Sequence, residues 1–139
     1  MRSLTLKEVR NLVDKMPFNQ LLGIRVKRLH KDGVTIQCIL REELRNSAGV
    51  LHGGVTATMA DAAVGIALAR HFRGSRLATT VELKISYLRP ISHGTTTARA
   101  HLLKIGGRLC VGRVDLFDDA RKLAASALVT YLLLSEDNK

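Results

Sequence analysis

Asp61 is the only charged residue between Val55 and Ala69, in a run otherwise made of alanine, threonine and apolar residues. An acid on an apolar helix is costly to bury without a partner. That cost favours a chemical role, as a general base on water or as a nucleophile, over a carboxylate that only bonds neighbouring backbone. Upstream stand His52, Gly53 and Gly54, with Asn46 earlier in the same polar turn. The two glycines fall where the helix should begin, so their N–H groups are among those without an intrahelical acceptor. Such a terminus carries partial positive charge and can polarise a carbonyl or hold an oxyanion, and glycine lets a ligand approach closely. A glycine pair also serves a tight turn or close packing. Asn46 and His52 have types suited to orienting water, or to stabilising the turn and capping the approach to the helix.

The spacing constrains how these groups can cooperate. At the rise of an α-helix, Asp61 lies roughly 12 Å beyond Gly53 along one axis. One helix cannot bring both to one reacting atom. If both act on one substrate, they come from two copies of the chain. A carboxylate facing a polarised carbonyl suits hydrolysis of an activated acyl group, and a thioester carbonyl is already electrophilic. Other chemistries lack their residues: there is no GxSxG nucleophile elbow, no phosphate-binding loop, and no HExxH or Cys/His set with zinc spacing.

The elements that must position these residues follow from periodicity. Thr5 and Glu8 form a capping-box pattern ahead of Leu6, Val9, Leu12 and Val13, which predicts a helix over about 5–16 ended by Pro17. "LGIRVKRLH" and "VTIQCIL" are strand-like and meet across "KDG". The central helix is expected over about 53–71. Because it is apolar nearly all round, it must be covered on most sides. In "TTVELKISYL", alternation puts Val81, Leu83, Ile85 and Tyr87 on one face, with Glu82, Lys84 and Ser86 on the other. "TTTARAHLLKI" turns through "GG" into "RLCVGRVDLF", and Asp118-Asp119 leads into "KLAASALVTYLLL". The order predicts one α+β domain, 1–139, with a mostly antiparallel sheet wrapped around the helix.

Composition narrows the setting. With 139 residues, 46% of them hydrophobic, the chain can bury a core without metal or disulfide staples. Cys38 and Cys110 lie in strand-like runs without CxxC spacing and read as buried thiols of a reducing compartment. No apolar run reaches the ~18 to 20 residues of a membrane span. "MRSLTLKEVRNLVDKM" has no continuous apolar region and resembles neither a signal nor a transit peptide. The expectation is a cytoplasmic protein without a membrane partner. The net charge of +10 attracts polyanions. The cations are dispersed and aromatics make up only 4%, so nucleic acid is not the expected partner; a solvated basic surface, with a few cations serving a phosphate-bearing ligand, is the expectation.

Asn46, His52, Gly53, Gly54 and Asp61, followed by "TTVELKISYLRP", resemble the hotdog-fold acyl-CoA thioesterases of the phenylacetic-acid-degradation (PaaI-like) type, from about Pro17 to Leu134. The resemblance implies a curved antiparallel sheet around a long central helix. It also implies active sites at the interface of a homodimer, often within a homotetramer, and no cofactor beyond the CoA of the substrate. Carried over by position, Gly53 N–H polarises the thioester carbonyl, and Asp61 of the partner chain activates water or attacks. Asn46 and His52 position water and the thioester, and a hydroxyl before the "VEL" strand assists Asp61. Thr80 matches best, with Thr79 one residue away on the opposite face. Gly54, Tyr87 and the turn Lys104, Gly106, Gly107 and Arg108 are implied in CoA contact, although an ordinary GG turn explains the latter equally. Arg70, Arg73 and Arg76 favour the negative end of the helix or attract phosphates. The competing expectation is a hotdog protein that binds acyl-CoA without hydrolysing it, for which Asp61 has no evident use.

Overall fold

The computed structural model describes residues 2–135; Met1 and residues 136–139 of the expected domain lie outside them. The chain starts with α1, Leu6–Val13, closed by the expected capping box. The Glu8 N–H donates to Thr5 Oγ1 at 3.2 Å and the Thr5 N–H to Glu8 Oε2 at 2.8 Å. It stops earlier than expected, and Pro17 opens a second helix instead of only ending the first. That helix is α2, Pro17–Leu22. Proline has no N–H to lose at the first helical position and its fixed φ suits it. Gly23, at φ +74°, ends α2 in the left-handed region.

Strands β1 (Arg25–His30) and β2 (Gly33–Ile39) form the first hairpin, and α3 runs from Gly53 to His71. Four strands follow: β3 (Ala78–Tyr87), β4 (Thr95–Ile105), β5 (Leu109–Phe117) and β6 (Leu123–Leu133). All six form one sheet in the order β1-β2-β4-β5-β6-β3, with every neighbouring pair antiparallel. This is the hotdog arrangement of a sheet around a central helix.

The core lies between α3 and the concave side of the sheet. Met59, Val64 and Ile66 of the helix meet Ile36, Val114, Leu116 and Val129 of the strands, all essentially inaccessible. Burying side chains of this size contributes about 1.5–3 kcal/mol each relative to exposure. Gly112 makes close contact possible, because a Cβ there would lie 2.6 Å from Val64 Cγ2. One chain covers the helix on one side only. Ala57, Thr58, Asp61, Ala62, Gly65 and Ala69 stay half-buried and form a stripe of small residues away from the sheet.

Strand β3 departs from simple alternation. Thr80 pairs with Tyr131 and Glu82 with Thr130, so Val81 is an extra, bulged residue. The bulge changes the parity of the strand. Thr80 therefore shares the helix-facing side with Leu83, Ile85 and Tyr87, and Val81 leaves the stripe that alternation assigned to it. β3 is also the sheet's edge beyond β6.

Candidate active site

Two separate regions of the chain hold the residues of interest. The first is the start of α3. Residues 45–51 form a tight loop closed by a bridge between Arg45 and Leu51. Asn46 ties it together, its Oδ1 accepting from the N–H groups of Ala48 at 2.9 Å and Val50 at 3.2 Å. The Leu51 N–H donates to the Ile91 carbonyl at 2.7 Å and fastens the loop to the β3–β4 connection. His52 is the N-cap: its Nδ1 accepts from the Gly54 N–H at 2.9 Å, which leaves Nε2 as the ring's donor in the neutral form. Gly54 is thus engaged, while the Gly53 N–H donates to no described residue. Tyr87 reaches across from β3, its hydroxyl donating to the Gly53 carbonyl at 2.6 Å. A Cβ on Gly53 would lie 3.3 Å from that phenol ring. Burial pushes the Tyr87 phenol above its ordinary range and keeps it a donor. A cavity of about 380 Å³ opens here, lined by Asn46, Gly53 and Tyr87 and by aliphatic Val50, Leu88 and Ile91.

The second region surrounds Asp61, further along the helix and turned about 80° around it. Asp61 Oδ1 accepts from Thr80 Oγ1 at 2.7 Å and from the Tyr131 hydroxyl at 2.6 Å. The same hydroxyl also lies 2.8 Å from the Asp61 carbonyl oxygen. Thr80 and Tyr131 are cross-strand partners, so the ladder itself aims both hydroxyls at one oxygen. Oδ2 has no hydrogen-bond partner among the described residues. Burial, with the anionic Asp61 as hydrogen-bond partner, holds the Tyr131 phenol well above its ordinary range. A cavity of about 300 Å³ adjoins this carboxylate, with Met16, Thr58, Gly65, Leu77 and Tyr131 in its walls.

The structure therefore gathers Asn46, His52, Gly53, Gly54 and Tyr87 at one point and Asp61 with Thr80 at another. Thr79 points away from Asp61, because the Val81 bulge gives the inward position to Thr80. The turn of Lys104, Gly106, Gly107 and Arg108 joins neither group within one chain. It lies beside the end of β6, where the Leu133 N–H donates to the Arg108 carbonyl at 2.7 Å. Arg70, Arg73 and Arg76 are turned to backbone oxygens: Arg70 donates to the carbonyls of His30 and Gly33, Arg73 to that of Arg2, and Arg76 to that of Leu134. Tyr131 and Gly65 carry no motif that singles them out in the sequence. The available signal was an aromatic with a polar tip at an inward position of "ALVTYLL", which must find a partner when buried.

A hotdog sheet around a helix that carries a lone, hydroxyl-anchored acid defines the class as a hotdog thioesterase. Residues 48–125 match the family model described as the thioesterase superfamily, and this chain belongs to that superfamily and is a thioester hydrolase. It is similar to the medium/long-chain acyl-CoA thioesterase YigI of Escherichia coli K12, with 32% identity over 134 aligned positions covering 85% of this chain and 86% of that protein. It also resembles 1,4-dihydroxy-2-naphthoyl-CoA hydrolase of Listeria monocytogenes, at 26% identity over 108 positions, 78% of this chain and 88% of that protein. The crystal structure of zebrafish thioesterase superfamily member 2 superposes with a TM-score of 0.85 at 30% identity, covering 95% of this chain and 100% of that one.

Proposed function

We propose that the protein hydrolyses acyl-CoA thioesters to the free acid and CoA, at sites each built from two chains and of the phenylacetic-acid-degradation type. The observation that carries this reading is the separation of the two regions. The free Gly53 N–H and the open oxygen of Asp61 lie roughly 12 Å apart on one helix, so neither region is complete alone. In the shared site, Gly53 N–H of one chain holds the developing oxyanion. Asp61 of the other takes the proton from water as the water oxygen bonds to the carbonyl carbon. Collapse expels the CoA thiolate, which recovers the proton. If Asp61 attacks directly, the same thiolate leaves a mixed anhydride that water then cleaves. His52 Nε2–H and Asn46 orient the water and the thioester.

The pairing surface is supplied by β3. Among the described residues its outer edge has no partner strand, and Val81 and Leu83 along it are 53% and 37% exposed; such an edge is normally covered. A second β3 would continue the sheet and bring the small-residue stripes of two α3 helices together. Exposed Leu103, Ile105 and Leu109 offer a further contact for a dimer of dimers, and the basic β4–β5 turn is available to the CoA phosphates. The aliphatic cavity walls and the likeness to YigI support a medium- or long-chain acyl group, ahead of an aromatic one.

Thiol release across a panel of saturated and aromatic acyl-CoA substrates tests the proposal, with Asp61→Asn beside the wild type. The expected result is turnover by wild type and a loss of about 10²- to 10⁴-fold in kcat for Asp61→Asn, with KM little changed. Equal rates for the two proteins would remove Asp61 from the chemistry, and absence of turnover on every substrate would remove the acyl-CoA assignment.

A further inference from the structure

We infer that Tyr131 is a positioning residue for the reaction, which fixes the Asp61 carboxylate so that Oδ2 alone faces the substrate, and that Gly65 is glycine to admit it. This rests on the acyl-CoA hydrolase reading and specifies how its acid is held.

The geometry leaves one oxygen for each task. Oδ1 receives both hydroxyls, from Thr80 at 2.7 Å and from Tyr131 at 2.6 Å. A carboxylate rotates freely about its last bond unless one oxygen is anchored. Two donors converging from cross-strand partners anchor Oδ1, and charge-assisted bonds of this kind are about twice as strong as neutral ones. Oδ2, without a partner among the described residues, is the oxygen free to accept a proton or to attack. Tyr131 itself is almost wholly buried, 8% exposed, and its hydroxyl is spent on Asp61, so its influence on the reaction passes through that carboxylate. Its phenol is held above its ordinary range by burial and by the neighbouring anion, so it remains protonated and donating.

Gly65 completes the device. It lies one turn after Asp61 on α3, and a Cβ there would sit 2.8 Å from the Tyr131 hydroxyl oxygen and 3.4 Å from the ring carbon that bears it. Any side chain at 65 would push the hydroxyl off the carboxylate. Glycine inside a helix is otherwise unfavourable relative to alanine, so its presence in the middle of α3 has a steric explanation at this contact.

Three variants decide the matter, each followed by acyl-CoA turnover and thermal unfolding. Tyr131→Phe keeps the ring in the core and removes only the donor; kcat should fall roughly tenfold or more, with KM unchanged. Gly65→Ala should give the same fall in kcat at unchanged KM in protein that still unfolds cooperatively, a combination that a general loss of structure would not produce. In an Asp61→Ala background, Tyr131→Phe should have no further effect on the residual rate, because its influence passes through the missing carboxylate. Wild-type kcat in well-folded Tyr131→Phe, or an undiminished further loss in the Asp61→Ala background, overturns the inference. If instead the wild type turned over no acyl-CoA, the hydrolase reading itself would have failed, and the two failures are told apart by that control.

Discussion

The two regions on α3 are built by opposite means. At the helix start most bonds are local: Asn46 holds its own loop and His52 caps its own helix, while Tyr87 and the Ile91 carbonyl come from elsewhere. At Asp61 nearly everything is distant, since Thr80 and Tyr131 lie 19 and 70 positions away in the chain. The first region is a backbone donor presented by a turn. The second is a carboxylate whose orientation depends on the register of two strands. A local motif can therefore specify the half proposed to polarise the carbonyl, whereas the half proposed to accept the proton requires the folded sheet.

That contrast can be broken most directly by separating the halves genetically. Gly53→Pro removes the N–H while keeping a residue that the first helical position accepts, and His52 already has the extended backbone that precedes proline well, at φ −60° and ψ 131°. It should lower kcat about 10²- to 10³-fold. Mixing these chains with Asp61→Asn chains should restore about one quarter of wild-type activity, because half of randomly formed dimers carry one intact site. Verified mixed dimers without any recovery would mean that the halves are not shared between chains.

A smaller effect separates structure from chemistry within the helix-start region. His52→Ala removes the N-cap and should cost about 0.5–2 kcal/mol of stability, read by denaturant unfolding. His52→Asn should recover the stability, since asparagine is a good cap, without recovering the rate, since the Nε2–H is gone. Full recovery of both by asparagine would reduce His52 to a cap.

The smallest effect lies outside both regions and serves as their control. The Arg99 guanidinium, then the His101 ring, hold the Asp32 carboxyl down at about 2, from an ordinary 3.8. Because its folded value is depressed, Asp32 contributes its stability above pH 4 and loses it as the pH falls toward 2. The pair is exposed, so Asp32→Asn should cost only about 0.5 kcal/mol at pH 7, nearly nothing at pH 2, and leave kcat unchanged. An unfolding free-energy difference independent of pH would contradict the pairing.

How far the sequence could be read follows the same division between local and distant. The bounds of α3, the capping box at Thr5 and Glu8, the hairpins β1–β2, β4–β5 and β5–β6 and the antiparallel sheet are all legible, because turn residues and periodicity are local signals. The second helix is not legible in the same way, because a proline marks the stop of one helix and the start of the next equally well, and Pro17 serves as the start. The face of Thr80 could not be derived from alternation, since one bulged residue reverses the parity and bulges are set by the partner strand. Tyr131 and Gly65 were invisible for a related reason: their meaning lies in a contact between the middle of a helix and the last strand.

The helix is also keyed to the sheet at two points. Val64 occupies the notch left by Gly112, and Tyr131 fits the notch left by Gly65. Two such contacts, one with β5 and one with β6, oppose both sliding and rolling of α3. The spacing of the groups it carries is then held like the marks of a ruler. On the proposed reading, accommodation of acyl groups of different length would fall to the cavity walls that are not keyed, Leu88 and the segment through Ile91, where changes of side chain would retune selectivity without disturbing the groups on the helix.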